Sequence, residues 1–134
     1  MERFLSRKRF SMKLKPEKNK EFYTDLSKIE WIKIEAIEHE KSLSFFLDLD
    51  KGEAEAIILA TEKEADLIIL DETLGRFHAK HIGLKVTGTI GVLIKAKQLG
   101  FITELKTLLL ELRTKNVWLS DNFIEEILEL VNEK

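Results

Sequence analysis

Two stretches decide the fold of this chain: LDKGEAEAIILA at residues 49–60 and ADLIILDE at residues 65–72. In the first, Asp50 is placed to accept the free N–H groups of a helix start, and Glu53 follows three residues later, which is the arrangement of a capping box. In the second, a short apolar run ends in an acid. Such a run predicts a strand that is buried on both faces in a parallel sheet, with Asp71 at its carboxyl edge.

Both stretches contain acidic side chains, and their positions suggest a site. Ligands of parallel α/β sheets gather beyond the carboxyl ends of the strands, where Asp71 and Glu72 would lie. The helix that starts at Asp50 would present Glu53 or Glu55 toward the same edge. Oxygen ligands of this kind suit Mg²⁺ or Mn²⁺, which activate water and stabilise the charge that develops on a phosphodiester. The structural alternatives are a capping-box partner for Glu53, a solvated helix position for Glu55 and an N-cap for Asp71.

The remainder of the sequence continues the alternation of strands and helices. That alternation predicts an α/β sandwich with a mainly parallel sheet. The first predicted elements are a short helix from Pro16 through Ile29, a strand at Trp31–Ile37, a short helix at Ser42–Leu47 and a helix from Asp50 to about Lys63. They are followed by a strand at Asp66–Asp71, a helix from Glu72 to about His81 that stops at Gly83, and a strand at Leu84–Val86. The last three are a helix that begins within Thr87–Gly91 and ends at Gly100, a helix at Ile102–Arg113, and a helix capped by Ser120.

The charges are distributed unevenly along the 134 residues. Residues 1–20 carry eight basic and two acidic side chains, a net +6, whereas the rest of the chain carries a net −8. We therefore divide the chain into a basic N-terminal arm, residues 1–20, and a domain, residues 21–134. Such an arm would track a nucleic-acid backbone or an acidic partner, and the alternative is a solvated terminus without a function.

Composition excludes several classes of protein. The chain has no cysteine, so disulfides and thiolate metal sites are impossible, and nothing indicates an oxidising compartment. Its apolar runs are all far shorter than the roughly 20 residues that span a bilayer. We expect a cytoplasmic protein that neither enters nor crosses a membrane.

The order of several short motifs resembles a known family, the small prokaryotic PIN-domain-like proteins related to VapC-type toxins. The resemblance covers the chain from about Trp31 to its end, and it implies a PIN-like three-layer α/β sandwich that cleaves RNA with a divalent metal, often as the toxin of a toxin–antitoxin pair. An antitoxin protein and RNA are the partners it implies. The motifs are LDKGEAEAIILA at 49–60, ADLIILDE at 65–72, GRFHA at 75–79, GLKVTGTIGVL at 83–93 and AKQLGFI at 96–102.

The resemblance also assigns roles to particular residues. Glu53 takes the place of the acid that opens the central helix, and Asp71 that of the acid that ends the following strand, so both would bind Mg²⁺ or Mn²⁺. Glu72 is an adjacent catalytic candidate. Arg76 and Thr89 occupy matching motif positions, for which a salt bridge and a helix cap are the structural alternatives.

The N-terminus departs from the family pattern. PIN domains begin with a hydrophobic strand that ends in an acid, followed by two helices and a second acid, whereas this sequence begins with the basic stretch MERF. We expect the first strand and its acid to be missing by truncation. Glu2 is a poor counterpart of the second acid, because the ends of a chain are commonly mobile. An unpaired sheet edge invites pairing, so we expect a homo-oligomer or an N-terminal segment that fills the gap.

Three hypotheses follow from the sequence. The first is a PIN-type ribonuclease that uses Mg²⁺ or Mn²⁺. The second is a catalytically inert, truncated PIN-like protein that acts as an oligomeric binding module, because two acidic ligands rarely hold Mg²⁺ tightly. The third is a nucleic-acid binder that depends on the basic arm. His78 and His81, spaced i, i+3, form a separate transition-metal candidate, with surface histidines as the alternative.

Overall fold

A computed structural model of the chain describes residues 11–12 and 25–134. The chain divides into two compact units, Met1–Thr87 and Gly88–Lys134. Most of the predicted basic arm and the larger part of the helix predicted from Pro16 lie outside the described residues. Within the described part, none of the helices combines the length and the apolar character that a membrane crossing requires.

The first unit alternates strands with helices, which confirms the α/β class. The strands in its described residues are each two residues long. Its elements are β1 (Ser11–Met12), a 3₁₀ helix (Leu26–Lys28), β2 (Lys33–Ile34), a second 3₁₀ helix (Glu40–Phe46), α1 (Lys51–Glu62), β3 (Ile68–Ile69), α2 (Thr73–His81) and β4 (Val86–Thr87).

Both strand pairs are parallel, as the sequence pattern predicts. Strand β1 pairs with β2, with Ser11 opposite Lys33, and β3 pairs with β4, with Ile68 opposite Val86. The structure therefore shows two short two-stranded sheets in its described residues. The three-layer sandwich and the missing first strand stay predictions.

Helix α1 begins as its sequence predicts. The Asp50 side chain accepts the N–H of Glu53 at 2.9 Å, which satisfies one of the donors that a helix start leaves without a partner. Its apolar face packs into two small cores. One contains Ile57, Ala60, Ile68, Leu70 and Ala79, and the other contains Ile37, Ile58 and Leu59.

Strand β3 is buried on one face only, so the prediction of burial on both faces is wrong. Ile68 and Leu70 are 7% and 6% exposed, whereas Ile69 between them is 36% exposed. Successive side chains of a strand point to opposite faces, and in the described residues the Ile69 face is covered only in part. Helix α2 then runs as predicted to a stop at Gly83, whose φ of +90° favours glycine.

The second unit consists of three helices around one apolar core. Ser120 accepts the N–H of Phe123 at 3.1 Å, which confirms the predicted cap of the last helix. The fourth helix begins at Leu105 rather than Ile102, where the Glu133 carboxylate accepts the Leu105 N–H at 2.8 Å. The helices are α3 (Thr89–Gln98), α4 (Leu105–Thr114) and α5 (Asp121–Leu130), and their buried core contains Leu105, Leu109, Leu119, Ile124, Ile127, Leu128 and Val131.

Candidate metal centre

The first turn of α1 places a carboxylate beside α2. Glu53 is the third residue of α1, and its side chain is half-buried. A Cβ added to Gly75, in the first half of α2, would lie 3.4 Å from Glu53 Cδ and 3.5 Å from each Glu53 carboxylate oxygen. Gly75 is buried, and a glycine inside a helix costs about 1 kcal/mol relative to alanine. The missing side chain leaves room directly against the carboxylate.

The Glu53 carboxyl group lies in an unfavourable electrostatic environment for a negative charge. Its pKa is raised above the ordinary 4.5, first by burial and then by the charges of Asp50 and Glu72. Like charges held together by a folded scaffold repel one another, and a bound cation removes that repulsion. Carboxylates are also the oxygen ligands that Mg²⁺ and Mn²⁺ prefer. The charge and the space at this position therefore both fit a divalent cation.

The end of β3 fixes the backbone that carries the other two predicted acids. Leu70 donates its N–H to the Thr87 carbonyl at 2.8 Å and accepts a hydrogen bond from Arg76 Nη1 at 3.0 Å. Asp71 and Glu72 follow directly, and both are exposed. Glu72 is the N-cap residue of α2, but its side chain makes no capping hydrogen bond. Glu72 rather than Asp71 occupies the N-cap position of α2, and the Glu72 charge adds to the effect of burial on the Glu53 pKa.

Comparison of the sequence with family models identifies the family of the chain. A family model described as a PIN domain matches residues 11–133, nearly the whole chain. The chain belongs to the PIN-domain family. PIN domains are typically nucleases that depend on a divalent metal. The chain matches no curated protein and no solved structure.

The structure also shows where the weaker candidates of this PIN domain lie. Glu55 is only 4% exposed and pairs with Lys51 at 3.9 Å, so it is not a solvated helix residue. Residues two apart on a helix point in nearly opposite directions, which separates Glu55 from Glu53. Arg76 donates a hydrogen bond to the Leu70 carbonyl and forms no salt bridge with another described residue. Thr89 is the first residue of α3 and follows the N-cap residue Gly88.

The two histidines of α2 have other partners. His78 Nε2 lies 2.8 Å from Asp48 Oδ2, and the His81 ring stacks on Phe77 at a centroid distance of 6.1 Å. The metal-ligand geometry of the described residues does not join both imidazoles in one site. His81 is an exposed surface residue, as the alternative interpretation predicts, whereas His78 contacts Asp48 in the turn that precedes α1.

A different group has the proximity of metal ligands. Among the described residues, single ligand atoms of Glu38, His39 and Glu62 lie within 4.8 Å of one another. However, the Glu62 oxygens already accept the N–H groups of Glu38 and His39 at 2.9 to 3.0 Å. Those bonds lower the pKa of Glu62, the Glu38 N–H most of all. We interpret this group as the structural cap of the second 3₁₀ helix.

Sequence reasoning missed three contributors to the candidate centre. Asp50 was predicted only as a cap, yet its charge also acts on Glu53. Gly75 was part of a family motif without a stated role, although a buried glycine in a helix indicates a close approach. The bond between Asp48 and His78 joins residues 30 positions apart, and no local pattern indicates it.

Proposed function

We propose that this PIN domain is a divalent-metal-dependent endoribonuclease that uses Mg²⁺ or Mn²⁺. The proposal rests on one observation: Glu53 is half-buried against Gly75, and its pKa is raised by burial and by two neighbouring carboxylates. Glu53 and Asp71 are the proposed metal ligands, and Glu72 is the adjacent catalytic carboxylate. RNA is the proposed substrate, since PIN domains are typically nucleases.

The protein's own residues supply position and charge. Helix α1 presents Glu53 from its first turn, and Arg76 holds the end of β3, from which Asp71 and Glu72 project. When bound, the metal would activate water and stabilise the charge that develops on the phosphodiester. Glu72, which makes no capping bond, is available to orient the attacking water or to accept its proton.

The first test is cleavage of a single-stranded RNA by the purified chain. We expect cleavage with Mn²⁺ or Mg²⁺, and loss of cleavage with EDTA. Asp71→Asn and Glu53→Gln should each remove most activity, because each removes a charged ligand while keeping the shape of the side chain. Glu30→Gln, an exposed acid of the same unit, is the matched control and should stay active. Purified wild-type protein that leaves RNA intact with every divalent metal would refute the proposal.

An inert binding module is the second candidate. It is favoured by the finding that Glu53, Asp71 and Glu72 do not form a three-ligand group within 4.8 Å among the described residues. A site of that kind would hold Mg²⁺ weakly in the absence of substrate phosphates. Calorimetry separates the candidates, since micromolar Mn²⁺ binding without RNA contradicts the inert module.

The cellular role belongs to the same proposal. We propose that the chain is the toxin of a toxin–antitoxin pair and that it forms a homo-oligomer. Induced expression in a bacterium should then arrest growth, and Asp71→Asn should abolish the arrest. Light scattering of the purified protein measures its oligomeric state directly.

A further inference from the structure

The bond between His78 and Asp48 connects the two elements that build the candidate centre. Asp48 lies in the turn between the second 3₁₀ helix and α1, two residues before the α1 cap. His78 lies in α2, three residues after Gly75. The two side chains meet at 2.8 Å, and α1 and α2 also pack directly against each other. The bond therefore joins the turn that leads into α1 to α2, about one helical turn after the Gly75 that faces Glu53.

Its geometry fixes the imidazole on more than one side. The His78 ring meets Phe46, the last residue of the second 3₁₀ helix, edge to face with centroids 5.6 Å apart. The His78 hydrogen bond lowers the pKa of Asp48, which is therefore ionised at neutral pH. An ionised carboxylate only accepts hydrogen bonds, so Nε2 of His78 carries the proton and donates it to Oδ2. The imidazole thus has one orientation in this contact.

Stability alone does not account for the pair. The side chains of Asp48 and His78 are 51% and 23% exposed, and exposed ion pairs typically contribute little to folding. What the pair does determine is the position of α2 relative to the start of α1. We infer that Asp48 and His78 are positioning residues, which hold Gly75 and Glu72 against Glu53 and so set the spacing of the metal ligands.

This inference rests on the proposed metal site, yet its first consequence is measurable without metal. If the bond holds α2 in place, its loss should let Glu72 and Gly75 move away from Glu53. Burial and like charge would then act less on the Glu53 carboxyl group, and its raised pKa should fall toward the ordinary value. Partners that orient metal ligands typically change metal affinity by about 10- to 100-fold when removed. We expect about tenfold weaker Mn²⁺ binding.

The experiment compares wild type with four single variants and with the double variant that combines Asp48→Ala and His78→Leu. Asp48→Ala and His78→Leu remove the bond, and His78→Gln retains a donor of similar reach. Glu62→Ala, at the far end of α1, removes the cap of the second 3₁₀ helix and is the control for loosening of the unit in general. The Glu53 carboxyl pKa is followed by carbon NMR in EDTA, and Mn²⁺ affinity by calorimetry.

The expected result is a lower Glu53 pKa and weaker Mn²⁺ binding in Asp48→Ala and His78→Leu, with partial recovery in His78→Gln and no change in Glu62→Ala. The double variant should be no worse than either single one. An unchanged Glu53 pKa in Asp48→Ala overturns the inference, as does an equal change in Glu62→Ala. If wild type binds no Mn²⁺, the proposed function fails, while the metal-free NMR result still decides the positioning role.

Discussion

Replacement of Glu53 by glutamine should stabilise the metal-free protein and destabilise the metal-bound one relative to wild type. In the folded chain, burial and the charges of Asp50 and Glu72 raise the Glu53 pKa above 4.5. The folded state therefore binds more protons than the unfolded state as pH rises from about 4.5 through the raised pKa, and stability falls over that window. At pH values above the raised pKa, the loss of stability has reached its full size. Glutamine has the same shape and no charge, so it avoids this loss.

The magnitude follows from the number of like charges involved. Each like-charge pair on a protein surface destabilises by roughly 0.2–0.5 kcal/mol, and Glu53 has two such neighbours. Relief of both, with some contribution from burial, should stabilise Glu53→Gln by about 0.5–1 kcal/mol at pH 7. That corresponds to a rise in Tm of about 2–5 °C for a chain of this size. By comparison, a ligand at 100 times its Kd stabilises by about 2.7 kcal/mol.

The assay is thermal unfolding of wild type and Glu53→Gln in EDTA and in excess Mn²⁺, at pH 7 and at pH 4. In EDTA at pH 7 the variant should melt higher, and at pH 4 the difference should vanish because both side chains are then neutral. With Mn²⁺ at pH 7, wild type should melt higher than Glu53→Gln, because only wild type keeps the Glu53 carboxylate as a metal ligand. A variant that is no more stable in EDTA would refute the electrostatic argument. Equal stabilisation of both proteins by Mn²⁺ would refute the assignment of Glu53 as a ligand.

Three further predictions test other parts of the molecule. Gly75→Ala should fold with up to about 1 kcal/mol more stability but bind Mn²⁺ more weakly in calorimetry, because the added methyl group would occupy the space against the Glu53 carboxylate. Glu133→Ala should lower the free energy of unfolding in urea by about 1–2 kcal/mol, because it leaves the first N–H groups of α4 without an acceptor. The control Glu129→Ala removes an exposed ion pair and should change that free energy by less than about 0.5 kcal/mol. If the basic arm contacts RNA, neutralising Arg7, Lys8 and Arg9 together should reduce the slope of log affinity against log salt by about 2, and an unchanged slope contradicts that role.

Local signals in the sequence predicted the helix starts well. Asp50 and Ser120 each cap a helix through a residue three positions later, so a short window contains both partners. The start of α4 was predicted three residues too early because its acceptor, Glu133, comes from the far end of the chain. The exposure of Ile69 was missed for a similar reason. An apolar run reports that a strand is buried, but the number of covered faces depends on which distant elements pack against it.

The candidate site was predictable as a set of residues and not as an arrangement. Family resemblance selected Glu53, Asp71 and Glu72 by their order along the chain. Their electrostatic relation depends on Gly75, which lies 22 positions after Glu53, and on the non-local bond of His78. Such contacts form only when helices pack, so neither periodicity nor capping patterns carry information about them.

The direction of the pKa shifts separates structural acids from the candidate functional one. Asp48 and Glu62 have lowered pKa values because each accepts hydrogen bonds, Asp48 chiefly from His78 and Glu62 chiefly from the Glu38 N–H. Their negative charges are therefore stabilised by the fold. Glu53 is the opposite case, because burial and like charges raise its pKa. Among the described residues, the fold stabilises the charges of Asp48 and Glu62 but exposes Glu53 to the charges of two other acids, and the proposed divalent cation would neutralise that repulsion.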